Sequence, residues 1–197
     1  MGSALTSLAY LCVGTLFGLA VMAIVLAVVA RRRAADEKLS RAYGPLHALL
    51  SENAAARAKV TELEERLMTN YAAESSPFSA EEKKVAAEGF LSAEVKIRER
   101  VINPNRERMR QIVGEWGHLL RDDDYLSLTD ELARASSTRV LAELNLPKGM
   151  RDKPDAADPE AGVLEQIRVT YLDLSRERRA GFLPALMQGI KHMFAAD

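Results

Sequence analysis

Residues 4–30 read ALTSLAYLCVGTLFGLAVMAIVLAVVA, and Arg31-Arg32-Arg33 comes directly after them. These 27 residues contain no Asp, Glu, Lys, Arg or His. As a helix they extend about 40 Å, enough to cross a hydrocarbon core of about 30 Å with some tilt. A cleaved signal peptide wants a basic start and a shorter apolar stretch. No Lys or Arg precedes this one, so residues 1–30 are read as a transmembrane anchor. Arg31, Arg32 and Arg33 form its membrane flank. By the positive-inside rule they hold residues 31–197 in the cytoplasm, with the N-terminus outside the inner (cytoplasmic) membrane.

The 197 residues carry 27 basic and 28 acidic side chains, all of them after residue 30. That segregation predicts one apolar segment and one soluble part large enough to bury a core. It argues against wholesale disorder. A single cysteine, Cys12, excludes a disulfide scaffold. A net charge of −1 argues against nucleic acid as a partner. The Ala- and Arg-rich composition points to a bacterial source.

Within the span, Gly14 and Gly18 lie four residues apart on one stripe with Leu11 and Val21. Such a pair lets two helix backbones approach closely, although glycine is common in membrane helices. Charged residues 31–42 continue the helix, and Gly44-Pro45 is expected to break or kink it. A second helix then runs to about Ala73. Its seam is Leu46, Leu49, Asn53, Ala56, Val60, Leu63 and Leu67, spaced 3, 4, 3, 4, 3, 4. That is a heptad pattern. In a parallel dimer Glu52 would face Arg57, and Lys59 would face Glu64. Asn53 is the residue type that fixes register in two-stranded coils. The alternative is that this helix packs inside its own domain.

Residues 75–197 read as a cytoplasmic helical domain, with 31–74 as a juxtamembrane, coiled-coil-like region. Ser79 and Glu82 have the spacing of a capping box. The helix they start draws its core candidates from Val85, Phe90, Leu91, Val95 and Val101. Asn103-Pro104 is expected to end it and to cap the next, which runs to about Arg121. Asp122 to Asp124 read as a solvated turn before a helix from about Leu128. Residues 147–159 read as a loop, and Asp158-Pro159 as the cap of a further helix. No segment alternates with period two. The class is all-α: one transmembrane helix followed by about five to seven cytoplasmic helices.

The catalytic inventory is thin. No P-loop, dinucleotide turn or His-Glu-x-x-His is present. Glu115-x-x-His118 is half of a di-iron pattern that needs two such pairs. The acidic triplet lacks the glycine of a calcium loop, with Ser127 at the sixth position. No metal or cofactor is expected. Gly114 and Gly117 each cost about 1 kcal/mol in a helix, so they imply a close approach near Trp116. At the end, Phe182, Leu183, Leu186, Met187, Ile190, Met193 and Phe194 share one face. That face can cover the domain's own core, a partner groove or the membrane surface.

The sequence therefore reads as a single-pass, membrane-anchored cytoplasmic interaction or scaffold protein, self-associating and non-enzymatic. Its partners would be the lipid bilayer, a second copy and an unidentified protein. The alternative is a regulatory or effector subunit of a bacterial membrane transport, signalling or defence complex.

Overall fold

The computed structural model describes residues 2–72, 77–143 and 159–179, and the side chains of 14–71, 77–136 and 160–179. The face at Phe182–Phe194 and the loop at 147–158 lie outside the described residues. Every described element is helical, with no strand. Six α-helices are present in order among them: α1 (Gly2–Lys38), α2 (Gly44–Leu67), α3 (Ala80–Ile97), α4 (Asn103–Trp116), α5 (Asp122–Glu143) and α6 (Pro159–Arg179).

The prolines act differently from the sequence expectation. Pro45 neither stops the helix nor opens a loop, because a π turn at Leu39–Tyr43 links α1 to α2. Asn103 is not a cap. It has helical torsions, and its N–H donates to the Arg98 carbonyl, five residues back. This bond closes another π turn at Arg98–Ile102. These two π turns each begin six residues before a proline, Pro45 or Pro104, whereas a further π turn at Met68–Ala72 has no proline at that distance. A proline removes one N–H and crowds the carbonyl four residues earlier. The wider π turn absorbs both effects.

Two compact units result. One gathers α1 up to Leu39 with α6 from Leu172 onward, and the other spans Ser40–Tyr171. In the first, Val28, Ala35, Leu39 and Leu174 are buried. The second contains the whole of α2 to α5, so the seam helix and the helices after it share one core.

That core is a four-helix arrangement of α2, α4, α5 and the first part of α6. Its fully buried side chains include Tyr43, Leu46, Leu50, Met109, Leu128 and Ile167. On α6 the buried residues Glu160, Val163, Ile167 and Thr170 recur at spacings of 3, 4 and 3, one helical stripe. α5 starts earlier than expected. The acidic triplet forms its first turn, where carboxylates meet the positive end of the helix dipole. α4 ends at Trp116, and a 3-10 turn over Gly117–Leu119 comes next.

α3 packs beside α2 but buries none of its own residues fully. Its Ser79 capping box is present, with the Ser79 N–H donating to Glu82 Oε2 at 2.8 Å and the Glu82 N–H to Ser79 Oγ at 3.3 Å. Val85, Leu91 and Val95, expected in the core, are 60%, 56% and 51% exposed. Among the described residues no third layer covers the far side of α3.

This division predicts unequal responses to truncation. L46A should cost about 2–5 kcal/mol, as other buried Leu-to-Ala changes do. L91A should stay within about 0.5 kcal/mol of the parent. Urea unfolding of the two variants distinguishes a core through α2 from one through α3.

Candidate functional site

Three features have the composition of a working site: the apolar face of α1, the polar groups inside the core, and a groove between α4 and α5.

α1 shows large apolar side chains on more than one side. Leu16, Phe17 and Met22 are 66%, 71% and 61% exposed. Successive helical residues turn by about 100°, so these three point in different directions. The helix is long and apolar enough to cross a membrane and lies near the N-terminus. Gly14 and Gly18 are open: a Cβ at either would meet nothing within 4 Å. Arg31 and Arg33 are exposed at the end of the apolar stretch, and Arg32 is half-buried.

The core holds two polar layers. In the first, Asn53 of α2 is fully buried, and its Nδ2 donates to Glu160 Oε1 of α6 at 2.8 Å. Asn105 of α4 donates to Asn53 Oδ1 at 3.0 Å and to Glu52 Oε2 at 3.0 Å. Arg57 pairs with Glu160. Arg106 lies 3.7 Å from Glu160 and 3.9 Å from the buried Glu131 of α5. Burial and the neighbouring Arg57 both lower the pKa of Arg106. Two cations and two carboxylates thus neutralise each other where four helices meet.

In the second layer, the buried Tyr43 hydroxyl donates to Asp124 Oδ2 at 2.8 Å and accepts from the Arg121 N–H at 2.9 Å. Thr170 Oγ1 donates to the same Asp124 oxygen at 3.1 Å. Burial pushes the Tyr43 pKa well above the ordinary tyrosine value. The Arg121 N–H opposes that shift, and Asp124 adds to it. Beside this layer His47 stacks on Tyr171, with centroids 4.8 Å apart.

Tyr43 and Asn53 are ten residues apart on the α2 side, about 15 Å along a helix. Thr170 and Glu160 are ten apart on α6, in the opposite order. The layers therefore set α2 and α6 antiparallel in one register. Five buried apolar side chains, Leu46, Leu49, Leu50, Val163 and Ile167, lie between them along the two helices.

The groove between α4 and α5 has a volume of about 390 Å³. That is within the size range of small-molecule sites. Arg110, Thr129 and Ser136 on its wall are already hydrogen-bonded. Arg110 donates to Ser136 Oγ at 2.5 Å and to the Leu132 carbonyl at 3.3 Å. Thr129 and Ser136 both donate to carbonyls of their own helix. Among the described residues no set of polar groups converges on the open space.

The seam predicted along α2 divides in two. Leu46, Leu49 and Asn53 face their own chain's core, so this half of the seam is filled. Ala56, Val60, Leu63 and Leu67 are half-buried. Glu52 and Arg57, paired across a dimer by sequence, bond to Asn105 and Glu160 instead. Glu115 and His118 are both exposed. Among the described residues no group of three His, Cys, Asp or Glu is gathered closely enough to hold a metal. A Cβ at Gly117 would sit 2.8 Å from Tyr125 Cε2, whereas Gly114 has open space. The close approach near Trp116 is therefore a tyrosine ring at Gly117 alone. Trp116 itself is half-buried under the Arg41 guanidinium, 4.4 Å from its centroid.

Sequence patterns do not single out Glu160, Asn105, Asp124 or Tyr43. The signal they carry is a polar residue set within an apolar stripe, as at Asn105 ahead of Met109 and Val113. No protein-family description, curated protein or solved structure matches the chain.

E160A leaves Arg57 and Arg106 facing each other without their shared carboxylate. It should cost about 3–5 kcal/mol. E160Q keeps an acceptor for Asn53 and should cost less. Urea midpoints measure both.

Y43F strands the Arg121 N–H and should cost about 1–3 kcal/mol at neutral pH. The native Tyr43 pKa lies above the unfolded value of 10.0. Its stabilising contribution is therefore complete below pH 10 and is lost as pH rises further. The deficit of Y43F relative to the parent should narrow above pH 10, as read by melting at stepped pH.

Proposed function

We propose that this chain is a single-pass membrane protein whose helical bundle stands in the cytoplasm as a non-enzymatic interaction or scaffold module. The observation that carries the reading is α1, which is uncharged up to Ala30, open on several sides, and then carries three consecutive arginines. A helix that is apolar all round belongs inside a protein or a bilayer. The arginines favour the cytoplasmic side for residues 31–197.

The interior supports a structural role for the bundle. Its buried carboxylates are held by amides, arginines and hydroxyls of neighbouring helices, as expected of groups that fix packing. A catalytic carboxylate would instead face a cleft. Self-association belongs in this proposal through Gly14 and Gly18, which are open. The Leu46–Asn53 half of the seam is already occupied by the chain's own core. A membrane-held module meets its partners at a raised effective concentration.

Membrane fractionation tests the reading. The full chain should resist extraction by alkaline carbonate and dissolve only with detergent. A C-terminal tag should be digested by protease only after the cells are broken. Release by carbonate would contradict the anchor, and digestion in intact spheroplasts would contradict the orientation.

A further inference from the structure

The last turn of α6 carries Arg176, Arg178 and Arg179, interleaved with acidic residues. The structure gives them a position. Within the first compact unit, Arg178 Nε lies 3.1 Å from Asp36 Oδ1 of α1. Asp36 is three residues beyond Arg33, about 4.5 Å along the helix axis. The ion pair therefore sets the last turn of α6, with Arg176, Arg178 and Arg179, about one turn from the Arg31–Arg33 trio. Well over a hundred residues of sequence separate the two clusters.

Charge is distributed accordingly. Up to residue 39 and over 172–179 the chain has seven basic and four acidic side chains. Residues 40–171 have nineteen basic and twenty-three acidic ones. The basic excess is confined to the unit that contains the span. Arg176 and Arg178 are 78% and 63% exposed. Asp36 is 57% exposed, so its pair with Arg178 is a weak surface contact that a stronger acceptor can displace.

We infer that Arg176, Arg178 and Arg179 of α6 join the Arg31–Arg33 flank in one surface that binds the phosphates of anionic phospholipids at the inner face of the membrane. This rests on the membrane reading of α1. A bilayer with its headgroups extends several ångströms past the hydrocarbon on each side. Asp36 is six residues past Ala30, about 9 Å along the axis. Arg178 is thus held within about a Debye length of the headgroup layer. Guanidinium groups bind phosphate oxygens through paired N–H donors. Positive residues in the last turn also suit the helix dipole. That effect requires no lipid and is independent of headgroup charge, which provides a way to separate the two.

The test uses the full chain in mild detergent with equal amounts of phosphatidylglycerol and phosphatidylcholine, and counts retained lipids by native mass spectrometry. The parent should retain phosphatidylglycerol in preference. Each arginine near an anionic surface strengthens binding about fivefold. R176Q/R178Q/R179Q should therefore cut that preference at least about tenfold. The corresponding triple lysine variant should keep most of it, since charge is retained. Carbonate extraction of the same variants reads the anchor separately. A chain retained in the membrane but lacking a lipid preference, or a glutamine variant that matches the parent, overturns this inference alone. A chain released by carbonate overturns the membrane reading and this inference with it.

Discussion

A helix with no charge over 27 residues and bulky apolar side chains exposed on several sides is suited to hydrocarbon rather than to water. In water, each exposed apolar side chain on α1 carries an unfavourable hydration cost, and no other described element covers Leu16, Phe17 or Met22. In lipid that cost disappears, and the backbone polar groups are satisfied within the helix. The proposals for location, orientation and effective concentration all depend on this single transfer. In that proposal the arginine trio marks where the span ends.

The helical bundle is governed by a different constraint. Its helices are aligned by buried polar groups that accept few alternative partners. A purely apolar stripe can slide by one turn with modest loss. Asn53 cannot leave Glu160, and Tyr43 cannot leave Asp124, without stranding a buried donor or charge. Two such layers, about 15 Å apart, fix both the direction and the register of α6 against α2. We take their role to be specificity rather than added stability, since apolar replacements of buried ionic groups are often equally stable.

Much of this is legible in the chain. The uncharged leader, the all-helical class, the capping box at Ser79 and Glu82 and the stripe through Leu46 and Leu49 all come from local rules. The misreadings share a cause. Gly44-Pro45 and Asn103-Pro104 look like breaks because local chemistry penalises proline, but a π turn upstream accommodates each one. Val85, Leu91 and Val95 have core chemistry, but only tertiary structure shows that no described residue covers them. Asn53 has the chemistry of a register device, but its partners are Glu160 and Asn105 rather than a second copy. Glu160 is 107 residues from Asn53, and no local pattern links them. Arg178 and Asp36 are separated in the same way.

The most direct measurement of the central claim is the depth of α1 in a reconstituted bilayer. Spin labels placed singly along the helix in a Cys12→Ser background, including F17C, V25C and R33C, report contact with oxygen and with a water-soluble nickel complex. The account predicts that oxygen contact peaks near the middle of the apolar stretch and that nickel contact rises sharply at residue 33. Uniform nickel contact from one end of α1 to the other would contradict it.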